Sequence, residues 1–270
     1  MKYINTRDIR IPAIGLGTFS LQGQSCVDAI ADAIDMGYRH IDTAQAYENE
    51  KEVGDGIKAS GIDRKDLFVT TKVWYTHLKR QAFIDTVHSS LEKLQTDYVD
   101  LLLIHWPDEN TPLEETLEAM QQVYDEGKTR LMGVSNFTLS MMQQARQQCD
   151  VVCNQVEYHP YLDQRHILDA VRNHGMFMTS YSPIGKGKVV QDETIKAIGE
   201  KYGKTPAQVT LRWHMQQDDV AAIPRSSSSE RRKENLDIFD FELTEDDMQQ
   251  IFALLANERM INPAWAPAWD

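Results

Sequence analysis

Through most of this chain, apolar runs of strand length alternate with longer segments of helical spacing, and nearly every run ends on polar residues. Tyr38 to Asp42 closes on aspartate, Phe68-Val69-Thr70-Thr71-Lys72 on lysine, and Val99 to His105 on histidine. Leu131 to Asn136 ends on Ser135 and Asn136, Val151 to Gln155 on glutamine, and Val220 to Ser226 on Arg225 and Ser226. Helical patterns fill the gaps near 26–36, 50–59, 79–94, 113–126, 139–148, 163–173, 192–202 and 206–216, and two more follow, from 229 and around 245–255. Before all of these, Tyr3-Ile4-Asn5 and Ile9-Arg10-Ile11 flank a turn through Thr6-Arg7-Asp8, which reads as a hairpin.

Eight strand–helix units in about 255 residues, with no linker between them, predict an α/β protein. The expected architecture is one domain over 1–270: a closed (β/α)8 TIM barrel with a short N-terminal β-hairpin and an irregular C-terminal tail. A doubly wound open sheet has the same periodicity, but it gathers its functional strand ends at one switch point. Here they recur at 42, 72, 105, 135, 155, 181 and 225, over nearly the whole chain. In a barrel those ends share one mouth.

Charge narrows the partners. A formal net charge of −13 argues against nucleic acid or an anionic membrane surface. The longest apolar stretch, Val99 to Trp106, carries Asp100 and is too short to span a bilayer. The first residues lack a hydrophobic signal region, so the expectation is an unexported, cytoplasmic protein. Cys26, Cys149 and Cys153 match no zinc spacing and read as buried free thiols. His40-x-Asp42 has no second histidine pair to complete a metal site, and none is expected.

Ile14-Gly15-Leu16-Gly17-Thr18-Phe19 holds only the first half of a dinucleotide fingerprint, since Ser20 stands where the third glycine belongs. It reads instead as a strand whose glycines let a ligand approach the backbone.

The barrel reading makes neighbours of Asp42, Lys72 and His105, with Tyr47 leaning over the mouth from the loop after its strand. Taken singly, each has an ordinary structural explanation as a cap, a snorkelling lysine, a core histidine or a packing ring. Together they describe a chemistry. Tyrosine, with a reference pKa near 10, holds a proton at neutral pH, and a nearby ammonium makes it a better acid. Lys72 is that ammonium and Asp42 its partner, while a neutral His105 hydrogen-bonds a carbonyl oxygen. Such a set protonates an oxygen as charge develops on it. This suits carbonyl reduction, and the hydride must come from a nicotinamide cofactor.

The sequence also resembles the aldo-keto reductase family almost end to end. The resemblance is carried by Gly15-Leu-Gly-Thr18, Gly37 to Ala44, Tyr47, Asn49-Glu50, Val53-Gly54, Thr71 to Trp74 and Asp97 to Pro107. It continues through Gly133 to Phe137, Asn154-Gln155, Tyr181-Ser-Pro183, Ile223-Pro224 and Glu234-Asn235. Within the family it is most similar to the bacterial 2,5-diketo-gluconate reductases of the shorter B type. The resemblance implies a catalytic tetrad of Tyr47 as proton donor, Lys72, Asp42 and His105. It implies nicotinamide contacts from Ser135, Asn136 and Gln155, a stacking ring at Tyr181, and further cofactor contacts from Gly17, Thr18, Asp42 and Ser182.

Residues 225–235 form the most polar stretch, with four cations and two anions leading into a helix. Serines at a helix N-terminus and paired arginines suit a phosphate. By resemblance, Arg225, Ser226, Arg231, Glu234 and Asn235 hold the 2′-phosphate and adenine of NADPH, although the family usually has lysine where Arg225 stands. Phe19, Tyr47, Trp74, His105, Trp106 and, from the tail, Trp265 and Trp269 are the expected substrate contacts. The tail carries Pro263 and Pro267, which exclude a regular helix, and is expected to fold across the mouth.

The predicted activity is NADPH-dependent reduction of a small carbonyl compound (diketo-gluconate, methylglyoxal or a similar substrate) by a monomer. Two competing readings are a non-catalytic NADPH-binding barrel that senses redox state for a partner, and a Schiff-base enzyme using Lys72. Pairing with Asp42 would keep that lysine protonated and disfavours the second.

Overall fold

A computed structural model describes residues 1–270. The hairpin comes first: β1 (Tyr3–Thr6) and β2 (Ile9–Pro12) pair antiparallel. Their two-residue turn places Arg7 and Asp8 at φ 47° and 61°, a geometry whose twist matches the flanking strands. The repeating units follow as β3 (Leu16–Gly17), α1 (Gly23–Met36), β4 (His40–Asp42), α2 (Glu50–Ser60), β5 (Phe68–Val73) and α3 (Arg80–Leu94). Next come β6 (Val99–Ile104), α4 (Leu113–Asp125), β7 (Thr129–Ser135), α5 (Leu139–Arg146), β8 (Val151–Glu157) and α6 (Arg165–Asn173). The last are β9 (Phe177–Tyr181), α7 (Glu193–Tyr202), α8 (Pro206–Met215), β10 (Val220–Ala222), α9 (Ser229–Leu236) and α10 (Glu245–Phe252). No helix is long and apolar enough to cross a membrane.

Strands β3 to β10 form one parallel sheet in sequence order, and its two ends meet. Gly15 N–H donates to Ala222 O at 2.9 Å, Ala222 N–H to Ala13 O at 2.7 Å, and Gly17 N–H to Pro224 O at 3.1 Å, closing a (β/α)8 barrel. The glycines belong to this seam. A Cβ on Gly17 would lie 2.8 Å from Ile223 O, and one on Gly15 would lie 2.8 Å from the His40 ring. The side a Cβ would occupy at these two positions is taken by the last strand and a core histidine.

The strand period of two explains how the mouth acquires its side chains. Leu101 and Leu103 belong to the core cluster inside the barrel, whereas Leu102 and Ile104 pack outward against the helices, so His105 continues the inner row. By the same alternation Phe68, Thr70 and Lys72 share an inner face, as do Phe177, Thr179 and Tyr181. Each inner row is apolar at the bottom and polar at the top. The hairpin's Ile4 and Ile11 join the interior cluster with Phe68 and Leu101, which plugs the end opposite the mouth.

Candidate active site

At the mouth, β4, β5 and the residue after β6 bring Asp42, Lys72 and His105 together, and a short 3-10 turn over Gln45–Tyr47 swings Tyr47 above them. The Lys72 ammonium is fully buried, 2.5 Å from Asp42 Oδ1, and donates a second hydrogen bond to Thr43 O at 2.8 Å. Its third neighbour is the Tyr47 hydroxyl at 3.5 Å. Burial is the largest single influence and works against the lysine's charge, but the Asp42 carboxylate and the Tyr47 hydroxyl together outweigh it and raise the pKa above the ordinary value. Lys72 is therefore an ammonium here.

Tyr47 is half-buried, with its ring edge-on to His105 at 5.6 Å and to Phe19 at 5.2 Å. Burial raises its pKa, and the Lys72 charge pulls the other way without overcoming it. The expected acidifying pull is present, yet the phenol remains protonated at neutral pH. His105 is held well below the usual histidine range, first by burial and then by the Lys72 charge, so its imidazole is neutral. The ring packs edge-on to Trp74 at 4.9 Å, and Nδ1 has no hydrogen-bond partner.

A polar chain extends from this cluster. Gln155 Nε2 donates to Asp42 Oδ2 at 2.8 Å. Asn136, at φ 60°, donates from Nδ2 to His105 O at 2.9 Å and accepts from the Tyr181 hydroxyl at 2.7 Å. Ser135 Oγ donates to Gln155 O at 2.9 Å, and Ser182 follows Tyr181 at φ 49°. On the opposite side Thr18 is fully buried beside Gly17; its N–H donates to Asp42 O and its hydroxyl has no partner.

The basic stretch lies at the edge of the mouth: a Cβ built on Gly17 would lie 3.7 Å from Arg225 Cβ. Ser228 caps α9 by accepting from Arg231 N–H, and Ser226 Oγ accepts from Ser228 N–H. Arg225 and Arg231 are exposed, Glu234 is half-buried and Asn235 is buried. The expected arginine pair is corrected. Arg232 turns inward, is 4% exposed, and pairs with Asp32 while donating to Ser226 O. Only Arg231 of the two faces solvent.

The aromatics divide as well. The tail does cross the mouth: Trp265 stacks on Tyr75 with centroids 5.4 Å apart and meets Trp74 at 6.1 Å, while Trp269 meets Trp106 at 6.0 Å. Trp106 is thereby buried, whereas Phe19 stays 63% exposed. Two residues outside the expected set matter. Glu157, fully buried and paired with His159, accepts backbone N–H groups of Met260 and Ile261 at 2.8 and 2.9 Å, which anchors the tail. Continuing the period of two past Gln155 would have placed Glu157 on the inner face. Arg259 lies over the Trp269 ring at 3.7 Å, and no sequence pattern marks it.

Comparison with known proteins agrees with this geometry. Residues 13–256 match the Aldo/keto reductase family. The chain is 41% identical over 266 residues to methylglyoxal reductase DkgB of Escherichia coli O157:H7, covering 96% of this chain and 99% of the relative. It is 40% identical over 255 residues to the glyoxal reductase of Bacillus subtilis (strain 168), covering 93% and 92%. A solved crystal structure assigned as a 2,5-diketo-D-gluconic acid reductase B superposes with a TM-score of 0.98 at 45% identity, over 100% of this chain and 98% of that one. From the hairpin-plugged barrel to the four side chains at its mouth, this oxidoreductase belongs to the aldo/keto reductase family.

Proposed function

We propose that the protein is an NADPH-dependent reductase of small aldehydes and ketones, with Tyr47 as proton donor. The observation that carries this reading is the buried Asp42–Lys72 pair beneath the Tyr47 hydroxyl, with neutral His105 beside it. The residues around the mouth fit a nicotinamide nucleotide. The half-exposed Tyr181 ring, the unpartnered Thr18 hydroxyl, the capped start of α9 and the exposed Arg225 and Arg231 supply a platform, a polar contact and an anion site. When bound, the reduced nicotinamide supplies a hydride.

The protein handles the oxygen. His105, being neutral, can hydrogen-bond the substrate carbonyl oxygen without carrying charge into the pocket. As negative charge grows on that oxygen, the Tyr47 hydroxyl delivers its proton. The Lys72 ammonium stabilises the phenolate left behind, and Asp42 keeps that ammonium charged and in place. Asp42 and Lys72 thus act through Tyr47. Phe19, Trp74 and Trp265 line an aromatic opening suited to small carbonyl compounds such as methylglyoxal or diketo-gluconate, the substrates named for the relatives.

The deciding experiment is Tyr47→Phe assayed by NADPH oxidation with small aldehydes. Turnover should fall by about two orders of magnitude or more, with NADPH affinity retained. A variant that keeps full turnover would remove Tyr47 from the chemistry. A wild-type protein that binds NADPH but reduces nothing would favour the sensing barrel.

A further inference from the structure

Asn49 and Glu50 stand where α2 begins, just beyond the turn that carries Tyr47, and both are buried. Each receives a threonine hydroxyl. Thr43 Oγ1 donates to Asn49 Oδ1 at 2.9 Å, and Thr71 Oγ1 donates to Glu50 Oε1 at 2.5 Å. Those threonines flank the ion pair along the chain: Thr43 follows Asp42, and Thr71 precedes Lys72. Since Asp42 and Lys72 point into the barrel, the period of two turns their neighbours outward, toward the helices.

The Thr43 bond bears directly on the lysine. Thr43 O accepts from the Lys72 ammonium at 2.8 Å, so holding Thr43 by its hydroxyl also holds this acceptor. Asp42 Oδ1 and Thr43 O then direct two of the three ammonium N–H groups, and the third is left for the Tyr47 hydroxyl at 3.5 Å. Asn49 spends its own N–H groups on the turn after β3, donating to Thr18 O at 2.8 Å and Leu21 O at 2.9 Å. That turn carries Phe19, whose ring lies edge-on to Tyr47, and Gln22 just after it donates to Tyr47 O at 2.8 Å.

Ordinary packing does not require this arrangement. A buried carboxylate is a costly way to fill space, and burial is what raises the Glu50 pKa most. Apolar groups of the same shape would serve a purely structural contact nearly as well. We infer that Asn49 and Glu50 are positioning residues, which hold the start of α2, and with it Tyr47, in register with the Asp42–Lys72 pair. This inference rests on the reductase reading and adds to it the groups that align the phenol with the ammonium.

The test deletes one hydroxyl at a time. Thr43→Val and Thr71→Val remove a donor at nearly constant volume, while Thr43→Ser and Thr71→Ser keep it. For each variant kcat and KM are measured with methylglyoxal, and NADPH affinity by fluorescence titration. The Cζ resonance of Tyr47 is followed in protein with isotope-labelled tyrosine, identified by its loss in Tyr47→Phe. Each valine variant should lower kcat by roughly three- to tenfold, the worth of one net hydrogen bond, with KM and NADPH affinity within about twofold. The Tyr47 resonance should move in the valine variants, and the serine variants should restore both readouts. Should Thr71→Val fail to fold, Thr43→Val decides alone, because its partner amide is neutral. If wild type reduces no aldehyde yet the resonance moves with valine and returns with serine, the positioning role stands and the reductase reading falls. An unmoved resonance, an unchanged kcat in an active enzyme, or kcat and NADPH affinity falling together with the folded fraction would overturn the positioning role.

Discussion

Gln155 donates its amide to Asp42 Oδ2 at 2.8 Å, the very oxygen that the Lys72 ammonium leaves free. Both oxygens of this buried carboxylate are thus satisfied, one by a charge and one by a neutral amide. The arrangement fixes Asp42 in the plane from which it holds Lys72, and Lys72 in turn faces Tyr47.

Breaking the pair from one side leaves the other charge stranded. Lys72→Met should destabilise the fold by about 3–5 kcal/mol, measured by urea unfolding, because Asp42 would remain buried and uncompensated. Adding Asp42→Asn to that variant should restore much of the loss without restoring turnover. A double variant as unstable as the single one would mean that charge burial is not the source of the effect.

Adjacent arginines on α9 should behave differently. Arg231→Ala removes an exposed cation at the helix start and should weaken NADPH binding by about tenfold or more while leaving NADH nearly untouched. Arg232→Ala instead strands Asp32 and empties a buried site, so unfolding should become easier while the NADPH-to-NADH ratio is preserved. Equal loss of both nucleotides in Arg231→Ala would remove the phosphate role.

Acid should weaken the fold through its buried histidines. Burial lowers the pKa of His214 to about 3, and His40 and His105 are lowered too. In the unfolded chain each titrates near 6.5. Between those limits the unfolded state binds protons that the folded state refuses, so their contribution is complete above about pH 6.5 and shrinks as pH falls. The urea midpoint should therefore drop from about pH 7.5 to about pH 5, and His214→Gln should flatten the slope by about one proton. An unchanged slope would show that His214 is protonated in the folded protein.

Glu157→Gln should free the tail while sparing the barrel. The substitution removes the charge that receives two tail N–H groups. Trypsin should then cut faster at Arg259, and tryptophan emission should shift to the red as Trp265 and Trp269 leave Tyr75 and Trp106. Global stability should change by only about 1–3 kcal/mol. An unaltered cutting rate would place the anchor elsewhere.

The strand-end residues were legible because burial is periodic. A polar residue two positions beyond an inward leucine, as His105 is beyond Leu103, has only the mouth to enter. The inward turn of Arg232 was not legible, since its partner Asp32 lies on α1, far away in the chain, and nothing local separates it from Arg231. Gly15 and Gly17 were only partly legible for a related reason. A glycine reports that something comes close, and only the closed seam reveals that the something is Ile223 O and His40. Glu157 was within reach of the alternation, whereas Arg259 depends on a tail path set by tertiary contacts.

The seam that joins Gly15 and Gly17 to Ala222 and Pro224 has a consequence for how the molecule is born. Its two sides emerge from the ribosome at nearly opposite times, so the growing sheet carries two unsealed edges until the eighth strand arrives. Loop closure over such a span is entropically late and slow. The final zipping of a two-residue strand to a three-residue one is then the step that turns an open, sticky sheet into a cylinder without edges.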